Sequence, residues 1–206
     1  GGTAPATLAG LLVQQNAEVL SGIMVAQLAH AGAPVFYGTV SAALDMRTGA
    51  TALGGPEVGL LNLATSQLAR HYRLPCRGTG GNSDSKIIDY QAGIETSMSL
   101  LMAGLAGMNF IYDTAGSLDG SITTSYTKIV ADNEACGMVA RILDGIKITD
   151  ETLAVDEIVK VGPAASFLGT PFTLKHFRSE HFVPQLLDRK SREAWEKGGR
   201  KTMEHA

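Results

Sequence analysis

Apolar residues are distributed along the chain in long runs and short bursts, and their alternation predicts the elements. The first long run, Thr7 to Ala31, reads as a helix, with Pro5 before it, Thr7 as a candidate cap and Gly32 as its stop. It is apolar nearly all round, from Leu8, Leu11 and Leu12 to Met24, Val25 and Leu28. Such a helix is expected to be buried on most sides. A polar knot of Gln14, Gln15, Asn16 and Glu18 interrupts it. The first burst, Ala33 to Val40, reads as a buried strand, followed by a polar loop with Asp45, Arg47 and Thr48. Pro56 and Glu57 open the next helix, where a proline and an acid suit the first turn, and Arg70, His71 and Arg73 lie at its cation-favouring end.

The same grammar repeats twice. Leu74 to Thr79 reads as a strand, Gly80 to Lys86 as a polar loop, and Asp89 to Gly107 as a helix. Met108 to Tyr112 reads as a third strand, Asp113 to Thr123 as a Gly/Ser loop, and Ser125 to Leu143 as a helix. Thr149 is expected to cap one more helix ending at Gly162-Pro163, and Pro184 to Gly198 a polar helix anchored by Leu186, Leu187 and Trp195. Short, continuously apolar strands fit a parallel sheet covered on both faces. Strand, polar loop and helix in repetition is the pattern of a (β/α)8 TIM barrel. Three strands are too few for a closed barrel, which takes about 250 residues and eight strands. The expectation is therefore an α/β fold forming a portion of a barrel. It is read as a single partial domain over residues 1–206, with a C-terminal helical extension from about residue 184. Open edges would leave N–H and C=O groups unpaired, so either a longer chain or a second copy of this one is expected to cover them. A homo-oligomer is the expected assembly.

Composition narrows the function classes. Of 206 residues, 45% are hydrophobic and 18% charged, too apolar for a disordered chain. The net charge of −3 argues against a nucleic-acid partner. The tail from residue 174 carries eight basic and five acidic side chains and reads as a solvated helix. Cys76 and Cys136 match no disulfide framework or metal motif and fit free thiols in a reducing, cytoplasmic setting. No uninterrupted apolar run reaches the length of a membrane span, so no membrane partner is expected. The five histidines are scattered, and no metal site is expected. Gly78-x-Gly80-Gly81 lacks the residues of a phosphate-binding loop, and no nucleophile elbow is present.

In a barrel the site forms at the C-terminal ends of the strands. That rule brings Tyr37, Gly38 and Thr39, then Arg77, Gly78 and Thr79, then Tyr112, Asp113 and Gly116 to one rim. Loop residues Asp45, Arg47, Asp84, Lys86 and Asp89 hang over it, and Glu95 lies two turns into a helix. Six residues are candidates for substrate binding: Tyr37, Arg77, Asp84, Asp89, Glu95 and Tyr112. A guanidinium directly after an apolar strand calls for an anion, which singles out Arg77. The aromatics also read as core residues, Asp84, Lys86 and Asp89 as a cap or surface pair, and Glu95 as a structural hydrogen-bonding partner. No catalytic residue is assigned.

Four stretches carry a resemblance. They are Thr7-Leu-Ala-Gly-Leu-Leu-Val-Gln-Gln-Asn-Ala-Glu18; Tyr37-Gly-Thr-Val-Ser with Asp45-Met-Arg-Thr-Gly49 and Gly55-Pro-Glu57; Asp89-x-Gln-Ala-Gly-x-Glu95; and Val161-Gly-Pro163 with Phe167-Leu168. In this order, over nearly the whole chain, they resemble the trimethylamine methyltransferase family. The resemblance implies the C-terminal part of a (β/α)8 barrel. It also implies transfer of a methyl group from trimethylamine, glycine betaine or a related amine to Co(I) of a corrinoid. That corrinoid would be carried by a cognate partner protein, with no cofactor bound directly. No pyrrolysine is written, as in the glycine betaine-type members. Where the family has a glycine-and-histidine stretch and a His-Thr pair, this chain has Ala164-Ala165-Ser166 and Phe172-Thr173. A quaternary amine needs no acid–base machinery to be attacked by a supernucleophilic cobalt, so the protein's task is to desolvate the cation, hold it with aromatic faces and carboxylates, and aim one methyl group. Tyr37, Tyr112 and Phe36 are candidate faces, Asp84, Asp89 or Glu95 candidate charges, and Arg77 a ligand for a betaine carboxylate. Two other readings stay open: a Schiff-base barrel enzyme using Lys86 or Lys147, and a catalytically silent fragment.

Overall fold

The computed structural model describes residues 2–203. Helix α1 (Leu8–Ala29) starts where the Thr7 hydroxyl accepts the Gly10 N–H. Strand β1 (Tyr37–Gly38) is followed by a hairpin of β2 (Ala43–Leu44) and β3 (Thr51–Ala52). Helix α2 (Pro56–Tyr72) has its proline in the first turn and ends at Arg73, in the left-handed region at φ 56°. Strand β4 (Cys76–Thr79) leads to α3 (Tyr90–Leu105), which Asp89 caps by accepting the Ala92 N–H. Strand β5 (Phe110–Tyr112), a hairpin of β6 (Ser117–Leu118) and β7 (Thr123–Thr124), and α4 (Tyr126–Leu143) follow.

The three expected strands form one parallel sheet in the order β1-β4-β5. Tyr37 pairs with Cys76, and Arg77 to Thr79 pair with Phe110 to Tyr112. Strand periodicity then divides the side chains between two faces. Tyr37 and Cys76 face the helices with Ala69, and Val19, Leu20, Ile23 and Leu68 pack around them. Gly78 belongs to the same face: a Cβ there would lie 2.0 Å from the Met108 sulfur, so only hydrogen fits. Phe36, Arg77, Thr79, Phe110 and Tyr112 belong to the other face. The helices are secured by polar side chains: Asn62 of α2 donates to the Thr79 carbonyl, and Ser66 to the Ala106 carbonyl.

Helix α1 is long and apolar enough to cross a membrane by length and composition, although its apolar run is interrupted at Gln14 to Glu18. Its polar knot nevertheless ties it to the core. Gln15 donates to Thr65, and Asn16 bridges two tyrosines, donating to Tyr72 and accepting from Tyr37. Burial is also less than expected: Val13, Met24, Val25 and Leu28 are exposed. Cys76 and Cys136 are free thiols.

The chain divides into two compact units, Gly1–Val139 and Ala140–Ala206. In the second, the expected helix after Thr149 is two pieces, α5 (Asp150–Leu153) and α6 (Val155–Val161), because Ala154 turns left-handed at φ 51°. An unanticipated helix, α7 (Pro171–Glu180), is capped by Thr170. The expected helix from Pro184 shortens to α8 (Arg192–Lys197), where Ser191 supplies the cap. Phe172 stacks on His176 with ring centroids 4.4 Å apart, and Ala164 sits in an exposed turn at φ 62°. His205 lies outside the described residues.

Candidate functional site

Two rows of side chains emerge on the sheet face away from the helices. Phe36 and Phe110 meet at 6.2 Å between centroids, and each is about half exposed (53% and 52%). One step along, the Arg77 guanidinium lies over the Tyr112 ring at 4.2 Å from its centroid. The two residues are diagonal neighbours on paired parallel strands, so sheet register brings them together. Burial pushes the Tyr112 hydroxyl above its ordinary pKa; the Arg77 charge opposes this, and Asp113 adds to it. Arg77 forms no ion pair among the described residues.

Above this face, a polar loop set closes the strand ends. Asn82, fully buried, accepts from Thr79 and donates to Asp113 and Ser121. Ser121 also donates to the same Asp113 oxygen. Asp113 directly follows β5 with φ 62°, a left-handed conformation that aspartate tolerates better than most residues. The β6–β7 hairpin docks on the loop after β4 through Asp119 N–H to Ser85 O and Gly120 N–H to Ser83 O. Beneath lies a buried ion pair. Lys128 Nζ donates to Asp132 (2.6 Å) and Thr96 (2.8 Å), and Asp132 also accepts the Gly116 N–H. The pair joins α3, α4 and the turn after β5.

The six candidate binding residues divide. Arg77 and Tyr112 come together on the open face. Tyr37 does not: it is fully buried on the helix face, stacked on Tyr72 and donating to Asn16. Burial, with help from Tyr72, pushes its hydroxyl up to about 12. An alternating strand cannot show Tyr37 and Phe36 to the same side, so Phe36 faces outward with Arg77 and Tyr37 is corrected to a core residue. Asp84 and Glu95 are engaged in loop closure. Asp84 accepts the Leu53 and Gly54 N–H groups, while Glu95 accepts from Ser83, the Asp84 N–H and Gln91. Burial raises the Asp84 carboxyl above its usual range, and the two backbone donors hold it back. Asp89 is the α3 cap, and the Ala92 N–H lowers its pKa. The bland reading of these three acids is the observed one: each carboxylate serves a loop or a helix end.

The sequence profile described as trimethylamine methyltransferase (MTTB) matches residues 1–206. The chain belongs to the trimethylamine methyltransferase family. It is 44% identical over its whole length to a glycine betaine methyltransferase of Desulfitobacterium hafniense (strain Y51). It is 42% identical to a trimethylamine methyltransferase MttB of Desulfitobacterium hafniense (strain DSM 10664 / DCB-2), and 43% identical to one of Methanosarcina barkeri, each over 98% of this chain. The chain spans 40–43% of the length of these curated relatives.

Within this member of the trimethylamine methyltransferase family, two features escaped sequence reading. Lys128 and Asp132 are four apart, a spacing that on an ordinary helix marks a solvated pair; here their side chains are only 2% and 7% exposed. The signal was the position of Lys128 opposite Gly81, visible only once the loops are placed. Asp113 was legible as a rim residue, but not its left-handed backbone or its two donors. The lysines of the Schiff-base reading are unsuited to it. Lys86 is 73% exposed and pairs with Asp119, and Lys147 is exposed in the second unit. A Schiff-base lysine is commonly activated by desolvation.

Proposed function

We propose that this chain supplies part of the amine-binding chamber of a methyltransferase. The reaction moves a methyl group from a tertiary or quaternary methylated amine, a betaine above all, to the Co(I) of a corrinoid on a separate cognate protein. The Arg77–Tyr112 pair carries this reading. It is a guanidinium without a carboxylate partner among the described residues, reaching from the second residue of β4 to an aromatic ring at the C-terminal end of β5. Family membership and the 44% identity to a glycine betaine methyltransferase support it. The three strands are staves of a (β/α)8 barrel. The remaining strands correspond to relatives' length this chain does not cover, and they close over Phe36 and Phe110.

The residues present fit a small zwitterion. The corrinoid enters as the partner's group. When docked, it supplies the nucleophilic metal that accepts the methyl group. This chain's residues bind and orient. Arg77 takes the carboxylate in a two-pronged contact, which fixes the molecule about that axis. Tyr112 spends one face on Arg77 and so holds the guanidinium in place rather than receiving the ammonium there. Closure of the rim excludes water from the methylammonium.

The test uses the full-length protein with reduced cobalamin and a panel of trimethylamine, glycine betaine and longer betaines, read by formation of methylcobalamin. Methylation by a betaine supports the reading. Absence of methyl transfer from every panel member rejects it in favour of a silent fragment.

A further inference from the structure

The open face has a cation, Arg77, but of the three acids expected to meet the substrate's ammonium, Asp84 and Glu95 have both carboxylate oxygens occupied and Asp89 caps α3. The geometry points to Asp113 as the counter-charge for the ammonium. With Arg77 it makes the site selective for a zwitterion over a simple amine. This inference rests on the amine-binding reading above.

Several observations converge on Asp113. It is adjacent in sequence to Tyr112, so its Cα lies about 3.8 Å from that of the residue holding Arg77. The left-handed backbone at φ 62° turns its side chain from the course an extended strand would give it. Such strain persists only where surrounding contacts enforce it, and it clusters at functional sites. Here the enforcing contacts are at one carboxylate oxygen, Oδ2, which accepts from Asn82 at 2.7 Å and from Ser121 at 2.7 Å. Asn82 is in turn locked by Thr79, on the same sheet face as Arg77. The carboxylate is thus oriented through Oδ2, while no described residue donates a hydrogen bond to Oδ1. Asp113 is part-exposed rather than sealed in the core, and the Tyr112 hydroxyl lies within the influence of both Arg77 and Asp113. A carboxylate and a guanidinium that both act on one phenol hydroxyl match in charge the two ends of a betaine.

Glycine betaine and tert-butylacetate separate the charges experimentally. They share shape and carboxylate, but the second carries carbon in place of nitrogen and has no positive charge. Calorimetric titration of the full-length protein is expected to show tighter binding of the betaine. Asp113→Asn keeps the shape, and asparagine is favoured at positive φ. It is expected to weaken betaine binding about tenfold, through loss of a charge–charge attraction to an ammonium that has no N–H to donate, while tert-butylacetate binding stays unchanged. Ser121→Ala, which removes one orienting donor at an exposed turn, is expected to weaken betaine binding several-fold with the same insensitivity for tert-butylacetate. Undiminished betaine preference in both variants overturns the assignment of Asp113 and leaves the amine-binding reading intact. Failure of the unaltered protein to bind either compound overturns that reading, and the inference with it.

Discussion

The guanidinium of Arg77 sits 4.2 Å from the centre of the Tyr112 ring, across the register of two parallel strands. This contact places a cation on a ring that cannot neutralise it, so the charge remains available to an anion. Arg77→Ala in the full-length protein is expected to raise KM for glycine betaine by about 10- to 100-fold, the worth of a bidentate charged hydrogen bond, with a smaller effect on trimethylamine, which has no carboxylate. Arg77→Lys is expected to recover only part of the loss, because an ammonium lacks the planar fork. Steady-state kinetics with both substrates checks this; equal effects on the two would remove the carboxylate role.

The Lys128–Asp132 pair makes a different prediction. Lys128→Met leaves Asp132 buried without its counter-charge and is expected to cost about 3–5 kcal/mol. The double variant Lys128→Met/Asp132→Leu removes both charges and is expected to recover much of that loss, although the Gly116 N–H then lacks its acceptor. Urea unfolding of the full-length protein measures both. A double variant no more stable than the single one would mean that the pair is not coupled.

Alkaline stability reports on Tyr37. Its hydroxyl is pushed up to about 12 in the folded protein, while an unfolded tyrosine ionises near its ordinary value of 10.0. Between those values the unfolded chain has released the proton and the folded one has kept it. Stability therefore falls as pH rises from 10 toward 12. Tyr37→Phe is expected to flatten that fall, as followed by circular dichroism, at the cost of the hydrogen bond to Asn16. An unchanged pH slope in the variant would show that another group governs alkaline unfolding.

Asp89 separates a cap from a ligand. Its folded pKa is lowered, chiefly by the Ala92 N–H. Its contribution to stability is therefore present above the ordinary value of 3.8 and lost as pH falls through the lower, folded one. Asp89→Ala is expected to lower thermal stability at neutral pH with KM for either amine unchanged. A raised KM in a protein of normal stability would return Asp89 to the site.

What could be read from sequence and what could not follow a physical division. Pro56, Thr7 and Asp89 announce helix starts because capping is a local interaction, and all three stand where expected. The apolar bursts at Phe36, Cys76 and Phe110 announce the strands, whose parallel pairing the sheet confirms. The β2–β3 and β6–β7 hairpins have two-residue strands, too short for alternation to show. Tyr37 was misplaced because rim position was read without face: one residue of shift moves a side chain to the other side of a sheet. A structural role for Asp84 and Glu95 was legible beside the substrate-binding one, but not their partners, because Leu53, Gly54 and Asp84 itself lie in loops whose meeting is tertiary.

The most direct measurement is an experimental structure of the full-length protein with glycine betaine bound. The account predicts the carboxylate within hydrogen-bonding distance of the Arg77 guanidinium, with Arg77 still stacked on Tyr112 and the methyl groups in the space between strands. Betaine bound elsewhere, with Arg77 paired instead to a carboxylate of the protein, would contradict it.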